Sequence, residues 1–169
     1  MAALTKAPPR IIYRGDAETK RVRVADNQSW NPNEFLRIDS AGTLKACATG
    51  ADVAAGGGRY LSGKVQADPD NATTFATVTK IENNTIFEGN LHHDTVASAT
   101  ATAARVGQQY ALDVTSNVHA VDLEDQSNLF CEVTEIASDY NEAENLTTDT
   151  NGRVRFKVLQ TVIEAAPQS

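Results

Sequence analysis

Residues 153–158 alternate basic and apolar side chains without a break, with Val154, Phe156 and Val158 opposed to Arg153, Arg155 and Lys157. A run with period two suits a half-buried β-strand and little else, because successive strand side chains point to opposite faces. The run NGRVRFKVLQTVI (151–163) is therefore read as a strand, and its leading Asn151-Gly152 as a hairpin turn, since both residues tolerate positive φ. A hairpin needs a preceding strand, and NLFCEVTEIA (128–137) is the candidate. KRVRVAD (20–26) alternates in the same way, with Val22 and Val24 on one face and Arg21 and Arg23 on the other.

Shorter candidates fill the space between these two runs: 35–39, 43–48, 59–68, 73–82, 85–90, 109–114 and 117–123. Turn signals separate them closely, among them Ser40-Ala41-Gly42, Pro69-Asp70-Asn71 and Asn83-Asn84. Many short strands at this spacing predict an all-β fold, an antiparallel barrel or sandwich with at most a short helix. SATATAARVG (98–107) is the one stretch whose alanines suit a helical turn stopped by Gly107, with an extended small-residue strand as the alternative. Gly56-Gly57-Gly58 is too permissive to lie inside an element and suggests a boundary. The expected organisation is an extended basic arm over residues 1–27 and a β-barrel body over 28–169. Residues 28–55 form either the first hairpin of that body or a small subdomain.

Charge changes sign along the chain. Residues 1–24 hold six basic and two acidic side chains, a surplus of four positive charges, whereas the remainder holds nine basic and twenty acidic, a net −11. An acidic body repels phosphates, and the basic segment has no glycine-rich, aromatic or helical pattern with which to read bases, so nucleic acid is not the expected partner. A protein surface suits the segment better. No apolar run is long enough to span a bilayer, and MAALTKAPPRIIYRGD lacks the apolar region of a secretory signal, so a membrane is not expected and synthesis in a cytoplasm is. In a reducing compartment Cys47 and Cys131 read as small buried apolar residues, although a bridge between them is possible in principle. The sequons at Asn71, Asn83 and Asn145 read as polar turn residues.

Catalytic constellations are sparse. His92-His93-Asp94 has the right atoms for a metal, but neighbours on a strand face opposite ways, and a polar turn is the better reading. Gly56-Gly57-Gly58-Arg59 lacks the Lys-Ser/Thr of a phosphate loop, and no nucleophile elbow, dinucleotide fingerprint or Cys-x-x-Cys occurs. The carboxylates of 121–128 and 138–145 read as solvated loop charge, and DYNEAENLTTD (139–149) lacks the glycine that a calcium loop needs. No catalytic residue, cofactor or metal is expected. Trp30, beside Pro32, reads as a hydrophobic anchor closing a turn; as a sugar-stacking platform it would want more company than 6% aromatic residues supply.

Four segments carry a resemblance to small β-barrel head proteins of tailed bacteriophages, most closely the capsid decoration (cement) proteins of cyanophages and other marine phages. SWNPNEFLRIDSAGTLKACATG (29–50) resembles their opening, an acidic-apolar strand leading through a Gly turn into a Leu-bearing strand. KVQADPDNATTFATVTKIENNTIFEGNL (64–91) looks like their Asp-rich turn and Thr-rich strands, GQQYALDV (107–114) like the element that follows, and DTNGRVRFKVLQTVI (149–163) like their closing strand. The likeness spans roughly residues 28–164 and brings no catalytic residues with it.

The resemblance implies a non-enzymatic virion protein on the capsid exterior. Its partners would be the major capsid protein, whose neighbouring subunits it clamps, and further copies of itself, a trimer before a dimer. From charge and alternation, and not from the resemblance, Arg10, Arg14, Arg21, Val22, Arg23, Val24 and Trp30 are the candidate docking residues. The alternative function is a carbohydrate- or receptor-binding β-sandwich module of a virion or cell surface. A small hydrolase built on His92, His93 and Asp94 is a third reading.

Overall fold

The computed structural model describes residues 9–13, 18–57, 59–63, 74–115, 118–137 and 152–167. Alternation becomes strand nearly throughout, in β1 (Arg10–Tyr13), β2 (Thr19–Arg23), β3 (Phe35–Ile38), β4 (Leu44–Ala46), β5 (Tyr60–Ser62) and β6 (Phe75–Lys80). It continues in β7 (Ile86–His92), β8 (Gln109–Thr115), β9 (Val118–Asp122), β10 (Cys131–Ile136) and β11 (Arg153–Val158). Helix is confined to short pieces, chiefly α1 (Gly50–Asp52), capped by Thr49 and Asp52, and α2 (Gln160–Ile163). The fold is all-β, as the alternation predicts.

Apart from β1, two barrel-like sheets divide the chain in sequence order. β2–β6 pair antiparallel in the order β2-β6-β5-β3-β4, and this sheet closes where Val24 bridges Leu44 and the Ala25 N–H donates to the Leu44 carbonyl at 3.0 Å. The second sheet runs β7-β11-β10-β8-β9 and closes through a parallel contact of β7 with β9, at Leu91↔Val121 and His92↔Asp122. β1 lies antiparallel along the other stretch of that β7 edge, opposite residues 86–88.

Period two then sorts the side chains into two cores. Leu36 and Tyr60 join Val24, Trp30, Leu44 and Val78 in the core of the N-terminal barrel. Their strand neighbours Phe35 and Leu61 belong instead to the larger core with Phe87, Leu112, Val121, Phe130 and Phe156 of the C-terminal barrel. Phe35 meets Phe87 and Phe130 edge-on, with ring centroids 5.1 and 4.9 Å away. Phe35 of the N-terminal barrel is thus packed into the core of the C-terminal one, and Phe156 extends the ring cluster by stacking on Phe87.

Several expectations change in the folded chain. Residues 1–27 do not form a separate extended arm in their described part: β1 belongs to the C-terminal sheet and β2 to the N-terminal one. The reason is the face carrying Val22 and Val24, which the N-terminal barrel needs to cover its core. Residues 28–55 supply the β3–β4 hairpin of that barrel together with α1. The closing strand pairs with β10 as predicted, but it stops at Val158, where Leu159, Val162 and Ile163 adopt helical spacing and α2 begins. Residues 137–152 lie between β10 and β11, a connection longer than the two-residue turn expected there; Asn151 itself lies outside the described residues. Residues 96–107 make 3₁₀ turns at Val96–Ser98 and Ala103–Arg105, around the fully buried Ala99 and Ala101. Arg105 fixes this loop by donating to the carbonyls of Thr100 at 2.9 Å and Ser98 at 3.1 Å, and Gly107 ends it at φ +80°. The 59–68 strand is seen only as β5, since 64–73 lie outside the described residues.

Candidate docking surface

β2 is paired on one side with β6 in the register Arg21↔Thr77 and Arg23↔Phe75, and on its other side β4 reaches it only past its end, at Val24. Alternation places Thr19, Arg21 and Arg23 on the solvent face, and the matching face of β6 carries Phe75 and Thr77. Phe75 is 47% exposed, a large value for a phenyl side chain, and both guanidiniums lie over its ring: Arg21 at 5.2 Å and Arg23 at 6.0 Å from the centroid. Such contacts contribute about 0.5–1 kcal/mol each at exposed sites, enough to bias where the guanidiniums sit without neutralising them.

The charges of these two arginines are unusual for this chain. The other arginines and lysines whose side chains are described are tied to oxygen, as in Lys20 to Glu18, Arg37 to Asp52, Lys45 to Asp39, Lys80 to Glu82 and Lys157 to Glu132. Arg59 and Arg105 bond to backbone carbonyls, and Arg153 and Arg155 to the buried Glu88. Among the residues whose side chains are described, only the cations of Arg21 and Arg23 have no oxygen partner.

The backbone adds a second feature. The Val24 N–H donates to the Thr74 carbonyl at 2.8 Å and the Lys80 N–H to the Glu18 carbonyl at 2.7 Å. Even-numbered residues of β2 therefore bond to β6, and the N–H and C=O groups of Thr19 and Arg21 point away from the sheet. Neither residue has a backbone partner on that side among the described residues.

The remaining docking candidates are placed differently. Val24 is 0% and Trp30 2% exposed, both committed to the core of the N-terminal barrel, so neither can meet a partner. Val22 is half-buried and packs on the same core. The backbone of Arg10 is in β1, in register with Glu88, and Arg14 lies outside the described residues. A turn follows Trp30 at residues 32–33. Beyond it, the buried Glu34 carboxylate accepts the Asn31 N–H at 2.9 Å, Asn33 takes φ +64°, and the Ser62 hydroxyl donates to the Asn31 carbonyl at 2.5 Å. Burial raises the pKa of Glu34, against the hydrogen bonds from Asn31. Phe75 is the residue that sequence reading missed. Its signal is phase: it shares a face with Thr77 and Thr79, and not with Ala76 and Val78.

The other chemical candidates are accounted for locally. His93 Nδ1 accepts the Thr95 N–H at 2.9 Å, His92 Nε2 lies 3.7 Å from Asp94 Oδ1, and no group of three or more His, Cys, Asp or Glu is placed to share an ion among the described residues. His119 is buried, accepts the Phe35 N–H at Nδ1 at 3.1 Å, and stacks on the Phe35 ring. Cys47 and Cys131 are buried and unpaired; burial pushes the Cys47 thiol up to about 12 and the Cys131 thiol upward as well. A groove of about 460 Å³ lies between β5–β6 and α2. Its charged walls are joined to each other, Lys80 to Glu82 at 2.7 Å and Arg59 to the Ala165 carbonyl.

Comparison of the chain with protein-family models, with curated proteins and with solved structures found no match.

Proposed function

We propose that this chain is a non-enzymatic capsid decoration protein, which binds the outside of a phage head and stabilises contacts between neighbouring major capsid subunits. The observation that carries the reading is the patch of Arg21, Phe75 and Arg23. On a chain of net charge −7, two guanidiniums without carboxylate partners flank an exposed aromatic ring. Arginine and aromatic residues are the side chains that interfaces favour, since one desolvates well and the other supplies apolar area. The four-segment resemblance of the sequence to phage head proteins supports the same reading. A clamp of this kind binds only the assembled shell, and so stabilises it by mass action over its many copies. Binding as a closed homo-oligomer, a trimer before a dimer, would place several such patches around one symmetry axis.

The test combines light scattering on the purified protein with co-pelleting on capsids from the same source. A defined oligomer that pellets at a fixed ratio is expected, with binding weakened at least tenfold in the R21E/R23E double variant and by added salt. A protein that ignores capsids and binds a glycan saturably would replace this reading with the carbohydrate-binding module.

A further inference from the structure

We infer that the segment which docks on β2 is an extended acidic strand, with carboxylates on alternate residues facing Arg21 and Arg23. This deepens the proposed function and rests on its choice of β2 as the docking element. Two independent features of β2 ask for the same ligand. Its outer edge offers the backbone N–H and C=O groups of Thr19 and Arg21, which only another extended backbone can satisfy in register. Its solvent face offers two cations at residues 21 and 23, the spacing of alternate residues on a strand, roughly 6.5–7 Å. A strand added at that edge would bring its own alternate side chains to about 4.5–5.5 Å, measured between Cβ atoms, from these two arginines.

The sign of the charge narrows the occupant. A second copy of β2 would set Lys20, Arg21 and Arg23 against themselves, a like-charge pairing that natural sheet margins use to prevent self-association. Nucleic acid would satisfy the cations, but it has no use for a peptide edge and would meet the repulsion of a chain with net charge −7. An acidic peptide strand satisfies both features. Phe75 assists, because the two guanidiniums held over its ring lose less freedom when they bind.

The experiment is a titration of the ¹⁵N-labelled full chain with the end-capped peptide Thr-Glu-Val-Glu-Val-Thr, followed by NMR. The amides of Thr19 and Arg21 should shift and gain protection from hydrogen exchange. Replacing both Glu of the peptide by Lys should weaken binding at least tenfold. So should N-methylation of its alternate amides in one of the two possible phases. The R21E/R23E variant, whose substitutions are both exposed and whose fold the remaining resonances report, should prefer the Lys peptide. Absence of shifts at millimolar peptide, equal binding of both N-methylated phases, or the same shifts from a sulfated oligosaccharide at lower concentration would overturn the inference. Capsid binding without peptide binding would remove it and leave the decoration reading standing. Peptide binding by a protein that ignores capsids would do the reverse.

Discussion

Asp39 holds the β3–β4 turn at the level of single atoms. Its carboxylate accepts the N–H of Ala41 at 3.0 Å and of Thr43 at 2.8 Å, the Thr43 hydroxyl at 2.8 Å, and faces the Lys45 ammonium at 3.3 Å, while Gly42 supplies φ +78°. Burial alone would raise its pKa, but the Thr43 hydrogen bonds and Lys45 outweigh that, and the net shift is downward from 3.8. Asp125 is shifted the same way by Asn128 and Ser127. A folded pKa below the unfolded one means that the stabilisation is complete above the unfolded value and is lost as pH falls through the folded one. Asp39→Asn should therefore cost about 1.5–3 kcal/mol at pH 7, as expected for hydrogen bonds to a charged group. Its deficit should shrink on acidification below the ordinary aspartate value of 3.8. Urea midpoints of both proteins at pH 7 and pH 3 check this; equal deficits at the two values would show that the charge of Asp39 is not what holds the turn. Glu34 runs in the opposite sense, since its raised pKa removes stability as pH climbs through and above 4.5. At this scale the sequence was legible for turns and thiols. It was less so for the docking patch, because Val24 and Trp30 look like good interface residues until the core that claims them is known.

At the scale of elements, β3 and β9 are joined across the two barrels by one side chain. His119 of β9 accepts the Phe35 N–H of β3 and stacks on the Phe35 ring at a 5.7 Å centroid separation and an angle of 12°. His119→Ala opens a cavity and leaves the Phe35 N–H without that acceptor, so a loss of about 3–4 kcal/mol is expected in denaturant unfolding. A loss under about 1 kcal/mol would mean that neighbouring groups replace the imidazole. Glu88 of β7 ties that strand to β11: it is 0% exposed, 3.1 Å from Arg153 Nε and 3.6 Å from Arg155 Nε. Strands were readable because period two survives burial on one face. The handover from β11 to α2 was not, because Val158, Leu159, Val162 and Ile163 satisfy both periods over so short a run and only packing decides. Nor was the placement of β1, since the backbone pairing of β1 with β7 leaves no local mark in either segment.

For the whole molecule, the decisive feature is that Phe35, Leu61 and Ile81 of the N-terminal half share a core with Phe87, Phe130 and Phe156 of the C-terminal half. Neither barrel can lose its structure without exposing apolar surface of the other. A single cooperative transition is expected, with calorimetric and van't Hoff enthalpies equal. Leu36→Ala in one barrel and Leu112→Ala in the other should each lower that same transition by about 2–5 kcal/mol. Two resolved transitions, each sensitive to only one of the substitutions, would show that the barrels unfold independently. The sharing of β7 reaches further, into how the chain is made. β7 takes backbone partners from Arg10 near one end of the chain, from Val121, and from Phe156 near the other. A growing polypeptide cannot close the C-terminal barrel until β11 has left the ribosome, so the strands made first must wait, unpaired and at risk of sticking, for the last.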